Sequence, residues 1–180
     1  MGVLKKINNF LKNLKFNQNI PLKHISNKKI LITGTNSGIG IELTKKLLEN
    51  NEVFSIYNND STNLDEIKKK NFHKIQCNLA NDNDIEKLRE IFKDNDIDIL
   101  INNASIFGPH DQQSLENINF EDFYDAFKVN SLSILKLSKI IFENNIQGLE
   151  KIINISSEMG SITKNTSGNY YIYRTTKAAL

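Results

Sequence analysis

The stretch Ile30-Leu31-Ile32-Thr33-Gly34-Thr35-Asn36-Ser37-Gly38-Ile39-Gly40 decides the fold of this chain. A short β-branched run enters a glycine-rich turn, and the turn enters a helical pattern over Ile39–Glu49. Glycines in such a turn let the backbone approach a pyrophosphate closely. The start of the following helix adds free N–H groups and the positive end of its dipole. The spacing T-G-x-x-x-G-x-G is neither G-x-G-x-x-G nor G-x-x-x-x-G-K, so the turn alone is weak evidence for any one ligand. Lying between a strand and a helix near the start of an alternating domain, it points to a dinucleotide.

Outward from this stretch the alternation continues. Further strand-like runs occur at Val53–Ile56, Phe72–Ile75, Ile97–Ile101 and Ile152–Ile155. Helical patterns occupy Asn63–Lys70, Asp82–Lys93 and the long segment Phe120–Glu143. Strands alternating with helices require right-handed crossovers and a parallel sheet covered on both faces. The expected fold is therefore α/β, a Rossmann-like doubly wound parallel sheet, with ligands bound outside the carboxyl ends of its strands.

Charge divides the 180 residues into two parts. The first 41 carry seven lysines and no acid, whereas the remainder carries a net −5. Residues 1–16 place Leu4, Ile7, Leu11 and Leu14 at helical spacing among lysines. This basic amphipathic arm could rest weakly on an anionic membrane surface or pack on a protein surface. Residues 1–27 are thus read as an extension and linker, and 28–180 as the nucleotide-binding domain. The mildly acidic body gives no reason to expect a nucleic acid partner. A single cysteine, Cys77, excludes an intramolecular disulfide framework and fits a reducing, cytoplasmic compartment. The three histidines are scattered, so no metal site is expected.

Chemistry-bearing residues cluster after the strand runs. Asn102-Asn103-Ala104-Ser105 follows the fourth, and Ser156-Ser157-Glu158-Met159-Gly160 the fifth. Asn130 lies on the long helix, and Tyr173 and Lys177 stand four apart, sharing one face of a helix. Taken singly, these residues would be read as a surface pair, a capping serine and an ordinary helix asparagine.

Together and in this order they resemble the short-chain dehydrogenase/reductase family over roughly residues 28–180, and 149–180 is most similar to its C-factor or sniffer-like carbonyl reductases. The resemblance implies an NAD(P)-dependent oxidoreductase acting on a small carbonyl or alcohol. Tyr173 would be the general acid, protonating the carbonyl oxygen as hydride reaches the carbon. A free tyrosine titrates near ~10, and a neighbouring ammonium eases loss of its proton, which is the role implied for Lys177. Lys177 would also hold the nicotinamide ribose, Ser157 would position the carbonyl oxygen, and Asn130 would extend the proton path through a water. For the cofactor, the resemblance implies Gly34, Asn36, Ser37, Gly38, Ile39 and Gly40 around the pyrophosphate, with Asn58, Asn78, Leu79, Asn103 and Ala104 around the adenosine, and Tyr173 and Lys177 at the nicotinamide end.

Departures from the family pattern bear on cofactor choice and completeness. Ser105 replaces a usual glycine, and Asn78 an aspartate that commonly contacts the adenine. At the end of the second strand, Tyr57 and Asn58 stand where an acid would bind both ribose hydroxyls and repel a 2′-phosphate, with Asp60 three residues further on. Neither Ser37 nor Asn58 supplies the basic clamp frequent in NADP enzymes. The expectation is NADP or NAD, tilted slightly towards NADP. Ala178-Ala179-Leu180 is mid-helix, whereas family members continue into further strands, a substrate lid and the usual dimer contacts. The sequence is accordingly read as lacking its C-terminal strands and lid, with a homo-oligomer expected only of a complete chain. A truncated, non-catalytic nucleotide-binding or interaction protein is the rival reading.

Overall fold

Alternate residues of the first strand face opposite ways. In β1 (Lys29–Thr33), Ile30 and Ile32 enter one buried cluster and Leu31 another. The computed structural model describes residues 25–144 and 148–180; the amphipathic arm expected over 1–16 lies outside them. Around β1 stand β2 (Glu52–Tyr57), β3 (Phe72–Gln76), β4 (Ile99–Asn102) and β5 (Lys151–Asn154). They form one five-stranded parallel sheet in the order β3-β2-β1-β4-β5. The chain moves outward from β1 to β3, then returns to place β4 on the other side of β1. The crevice for a ligand falls at this reversal, beyond the carboxyl ends of β1 and β4.

The helices are α1 (Gly38–Leu47), α2 (Thr62–Asp65), α3 (Asp82–Ile91), α4 (Phe120–Phe127), α5 (Ser133–Asn144) and α6 (Tyr171–Ala179). One face of the sheet packs Leu31, Phe54, Ile56 and Leu100 against Ile85 and Leu88 of α3 and Leu137, Ile140 and Ile141 of α5. The opposite face packs Ile30, Ile32, Val53, Ile99 and Ile101 around Leu48, at the end of α1. Burying each of these side chains contributes roughly 1.5–3 kcal/mol of transfer free energy.

Two helical expectations change in the structure. The pattern over Asn63–Lys70 becomes only the four residues of α2, in which Leu64 is buried. Lys68, Lys69 and Lys70 offer no apolar face, and a short helix without one lacks the packing that supports most helices. The long helix over Phe120–Glu143 is interrupted by a π-helical turn, Lys128–Leu132, between α4 and α5. That turn buries Val129, Asn130 and Ser131 and aims polar groups across to α6, where the bonds they make offset the widened ladder.

Candidate active site

The glycine turn is held by its neighbours in the sheet. Gly34 is left-handed, with φ of +68°. The Thr35 backbone N–H and hydroxyl both donate to the Ile56 carbonyl on β2, at 3.2 and 3.0 Å. From β4, the Asn103 amide donates to the Thr33 and Gly34 carbonyls at 3.0 and 3.1 Å. The Thr33 hydroxyl accepts from the Asn103 and Ala104 N–H groups, each at 3.0 Å. Gly40 has no room for a side chain, since a Cβ there would sit 2.0 Å from the Gly34 carbonyl oxygen. Ser37 occupies the N-cap of α1 and makes no side-chain capping bond, so the first turn of α1 has no side chain closing it.

Beside this turn opens a cavity of about 370 Å³. Its lining includes Gly34, Asn36, Ser37, Ile39, Asn58, Asn78, Leu79, Asn103 and Ala104, all expected from the sequence. Gly38 opens α1, and Gly40 lies buried against Gly34. Tyr57, Cys77, Ser105, Ile106 and Val129 also contribute walls. The lining contains no acidic or basic side chain. Asp60 does not line it; its carboxylate accepts from the Thr62 N–H and hydroxyl at 2.9 and 2.6 Å, starting α2. Those bonds hold its carboxyl below the usual range. Burial pushes the Cys77 thiol up to about 12, leaving it an inert apolar wall at neutral pH.

Tyr173 and Lys177 do not line this cavity but are tied to it through Asn130. The Asn130 amide donates to the Ile106 carbonyl and the Thr176 hydroxyl, both at 2.8 Å. Its oxygen accepts from the Ile106 N–H at 2.7 Å and the Ser105 hydroxyl at 3.2 Å. All four of its hydrogen-bonding positions are therefore spent on protein, and the side chain serves as a brace between the β4 loop and α6. Next to it, the Ser131 hydroxyl donates to the Thr176 carbonyl at 2.8 Å.

The loop after β5 docks on the same helix. Ser157 caps the 3₁₀ turn Glu158–Gly160, its hydroxyl accepting from the Met159 N–H at 3.2 Å. A Cβ on Gly160 would lie 2.6 Å from the Lys177 carbonyl oxygen, so only glycine allows this contact. The Lys177 ammonium donates to the Ile155 carbonyl at 3.1 Å and stands 5.7 Å from the centre of the Tyr173 ring. Lys177 is buried, 4% exposed, and burial holds it below the ordinary lysine range. Sequence reasoning missed Thr176, Ser131 and Gln113, which hold α6 in place. Thr176 carries the weak signal of adjacency to Lys177, and Gln113 carries none.

No cluster of His, Cys, Asp and Glu suited to a metal occurs among the described residues. Nor is any helix among them long and apolar enough to cross a membrane.

A strand–glycine turn–helix at the switch point, with a tyrosine–lysine helix docked beside it, defines the nucleotide-binding class of doubly wound sheets. The chain belongs to the short chain dehydrogenase family, whose model matches residues 28–180. It is similar to the C-signal protein of Myxococcus xanthus, 35% identical over 85 residues, which are 47% of this chain and 50% of that protein. It is also similar to a 3-amino-tetrahydro-pyrrolizinone reductase of Xenorhabdus hominickii, 31% identical over 86% of this chain and 54% of that protein. Among solved structures, a carbonyl reductase from Pseudomonas aeruginosa PAO1 in complex with NADP superposes with a TM-score of 0.74 at 27% identity, covering 85% of this chain and 71% of that one. The chain spans about half the length of these first two relatives.

Proposed function

We propose that the domain is an NAD(P)-dependent oxidoreductase that interconverts a small carbonyl compound and its alcohol, with Tyr173 as the general acid/base. The observation that carries this reading is the docking of α6. Asn130, Ser131 and Gly160 bring Tyr173 and Lys177 against both the loop bearing Ser157 and the segment walling the cavity.

The cavity suits a nicotinamide nucleotide. The space a Gly40 side chain would fill is taken by the turn itself, and the open first turn of α1 supplies N–H groups for a pyrophosphate. When bound, the nucleotide supplies or accepts the hydride. Asn58, Asn78 and Tyr57 offer neutral polar groups to the adenosine. With no carboxylate in the lining, nothing repels a 2′-phosphate, which favours NADP, the ligand of the Pseudomonas relative.

Tyr173 gives its proton to the carbonyl oxygen, with the Lys177 ammonium 5.7 Å from the centre of its ring. One ammonium hydrogen of Lys177 is committed to Ile155, leaving two for ribose hydroxyls. Ser157 uses a lone pair to cap its turn and offers its hydroxyl hydrogen to the substrate oxygen. Asn130 acts as a positioning residue.

Tyr173→Phe tests the mechanism. Turnover of a carbonyl panel with NADPH is expected to fall by about 10²–10⁴-fold, with the NADPH dissociation constant within about threefold by fluorescence titration. Retained turnover in the variant would sink the mechanism. A parent chain that binds NADPH and turns over no carbonyl would support the non-catalytic nucleotide-binding reading instead.

A further inference from the structure

The helix that carries Tyr173 begins without a cap of its own. Its N-cap residue, Tyr170, is left-handed (φ +54°, ψ +38°) and makes no side-chain capping bond. Asn169 and Gly168 before it are also left-handed, at φ of +51° and +65°. A bulky aromatic residue in this region is strained and persists only where its surroundings impose it. The first-turn N–H groups meanwhile require acceptors.

Gln113, distant in sequence and only 1% exposed, supplies acceptors for two of these N–H groups. Its carbonyl accepts from the Tyr171 N–H at 3.2 Å, and its side-chain oxygen from the Tyr173 N–H at 3.1 Å. Its amide nitrogen donates to the Phe107 carbonyl at 3.0 Å. The Phe107 ring in turn packs on the rings of Tyr173 and Tyr170, with centroids 4.7 and 5.6 Å away. Gln113 thus joins the backbone of Tyr173 to the backbone of the residue whose ring packs against the phenol. One side chain holds both ends of the tyrosine.

We propose that Gln113 is a positioning residue for Tyr173, acting as the N-cap of α6 from another part of the chain and fixing where the phenol oxygen lies. The proposal rests on the oxidoreductase reading above for its effect on turnover, but not for its effect on the helix. A buried glutamine that merely filled space would be replaceable by an isosteric apolar residue. A cap is replaceable only by another acceptor.

Gln113→Met keeps the volume and removes both side-chain bonds, whereas Gln113→Glu keeps the acceptor for the Tyr173 N–H. With NADPH and a carbonyl substrate, Q113M is expected to lower kcat by about 10²-fold, the scale of an ångström-level misplacement. The NADPH KM should stay within about threefold, and Q113E should recover most of the lost kcat. Amide exchange in ¹⁵N-tyrosine-labelled protein gives a second reading. Tyr173 should exchange at least about tenfold faster in Q113M and remain protected in Q113E, because the amide loses its acceptor only in the first. Tyr124, inside α4, should be unchanged in both.

An unchanged kcat in Q113M, a fall in NADPH affinity as large as the fall in kcat, or unchanged Tyr173 exchange would overturn the proposal. A parent chain without carbonyl turnover defeats the oxidoreductase reading alone, and the exchange measurement then decides the role of Gln113. Should Q113M fail to melt cooperatively, Q113E decides: a protected Tyr173 amide supports the cap, and an exposed one overturns it.

Discussion

Two helix N-termini serve this site, and they are built in opposite ways. The start of α1 follows from a local turn, Gly34, Ser37 and Gly40, buttressed by Ile56 and Asn103 from the neighbouring strands, and no side chain caps it. The start of α6 is closed by Gln113, which takes up the N–H groups of Tyr171 and Tyr173. An open helix start keeps its donors and its dipole for an anion. A closed one has spent its donors and instead holds its side chains in place. The first therefore suits a ligand's phosphates, and the second suits a group that must meet a reacting atom.

The largest effect that would break this contrast is at Gly40. A Cβ there collides with the Gly34 carbonyl at 2.0 Å, so Gly40→Ala must open the turn. Overpacking of this kind costs about 1–3 kcal/mol or more, and NADPH binding is expected to weaken at least about 100-fold in a fluorescence titration. Binding within tenfold of the parent would remove α1 as the nucleotide cradle.

Gly160→Ala strikes the other end, through the 2.6 Å approach to the Lys177 carbonyl. Stability by urea unfolding should fall by about 1–3 kcal/mol, and turnover should fall further than NADPH affinity. Equal losses of both would mean that the two helix starts do not divide the work.

The smallest effect concerns the charge on Lys177. Burial lowers its titration below the ordinary 10.5, so the folded state binds this proton less tightly than the unfolded chain. The cost of burying the charge is fully present below the lowered value and is relieved as pH rises from there towards 10.5. Lys177→Met carries no such cost. The variant is expected to melt no lower than the parent at neutral pH, and the parent should gain on it as the pH is raised through that window. Parallel melting-temperature profiles for the two proteins would contradict a buried, charged lysine.

Legibility in the sequence follows the same division. The β1 turn could be read because each of its requirements, an apolar strand, glycines and a helical pattern, lies in adjacent residues. The Tyr173–Lys177 spacing was readable because four residues on a helix share a face. The π-helical turn at Lys128–Leu132 was not, since its residues read as ordinary helix and its cause is the pull of Asn130 and Ser131 on Thr176. Asn130 stands out in the sequence as a candidate for the proton path, and only the fold shows that its side-chain amide bonds Ser105, Ile106 and Thr176. Asp60, the acid three residues beyond the position expected to meet the ribose, is used to start α2.

The sequence by itself determined the alternating strands and helices, the glycine turn and the set of side chains offered for chemistry, because backbone conformation and burial periodicity are set by near neighbours. Only the tertiary structure decided the strand order, the neutral lining of the cavity and the capping of α6 by Gln113. These depend on which distant groups the folded chain brings within hydrogen-bonding reach, and a hydrogen bond between residues 60 apart leaves no local pattern to read.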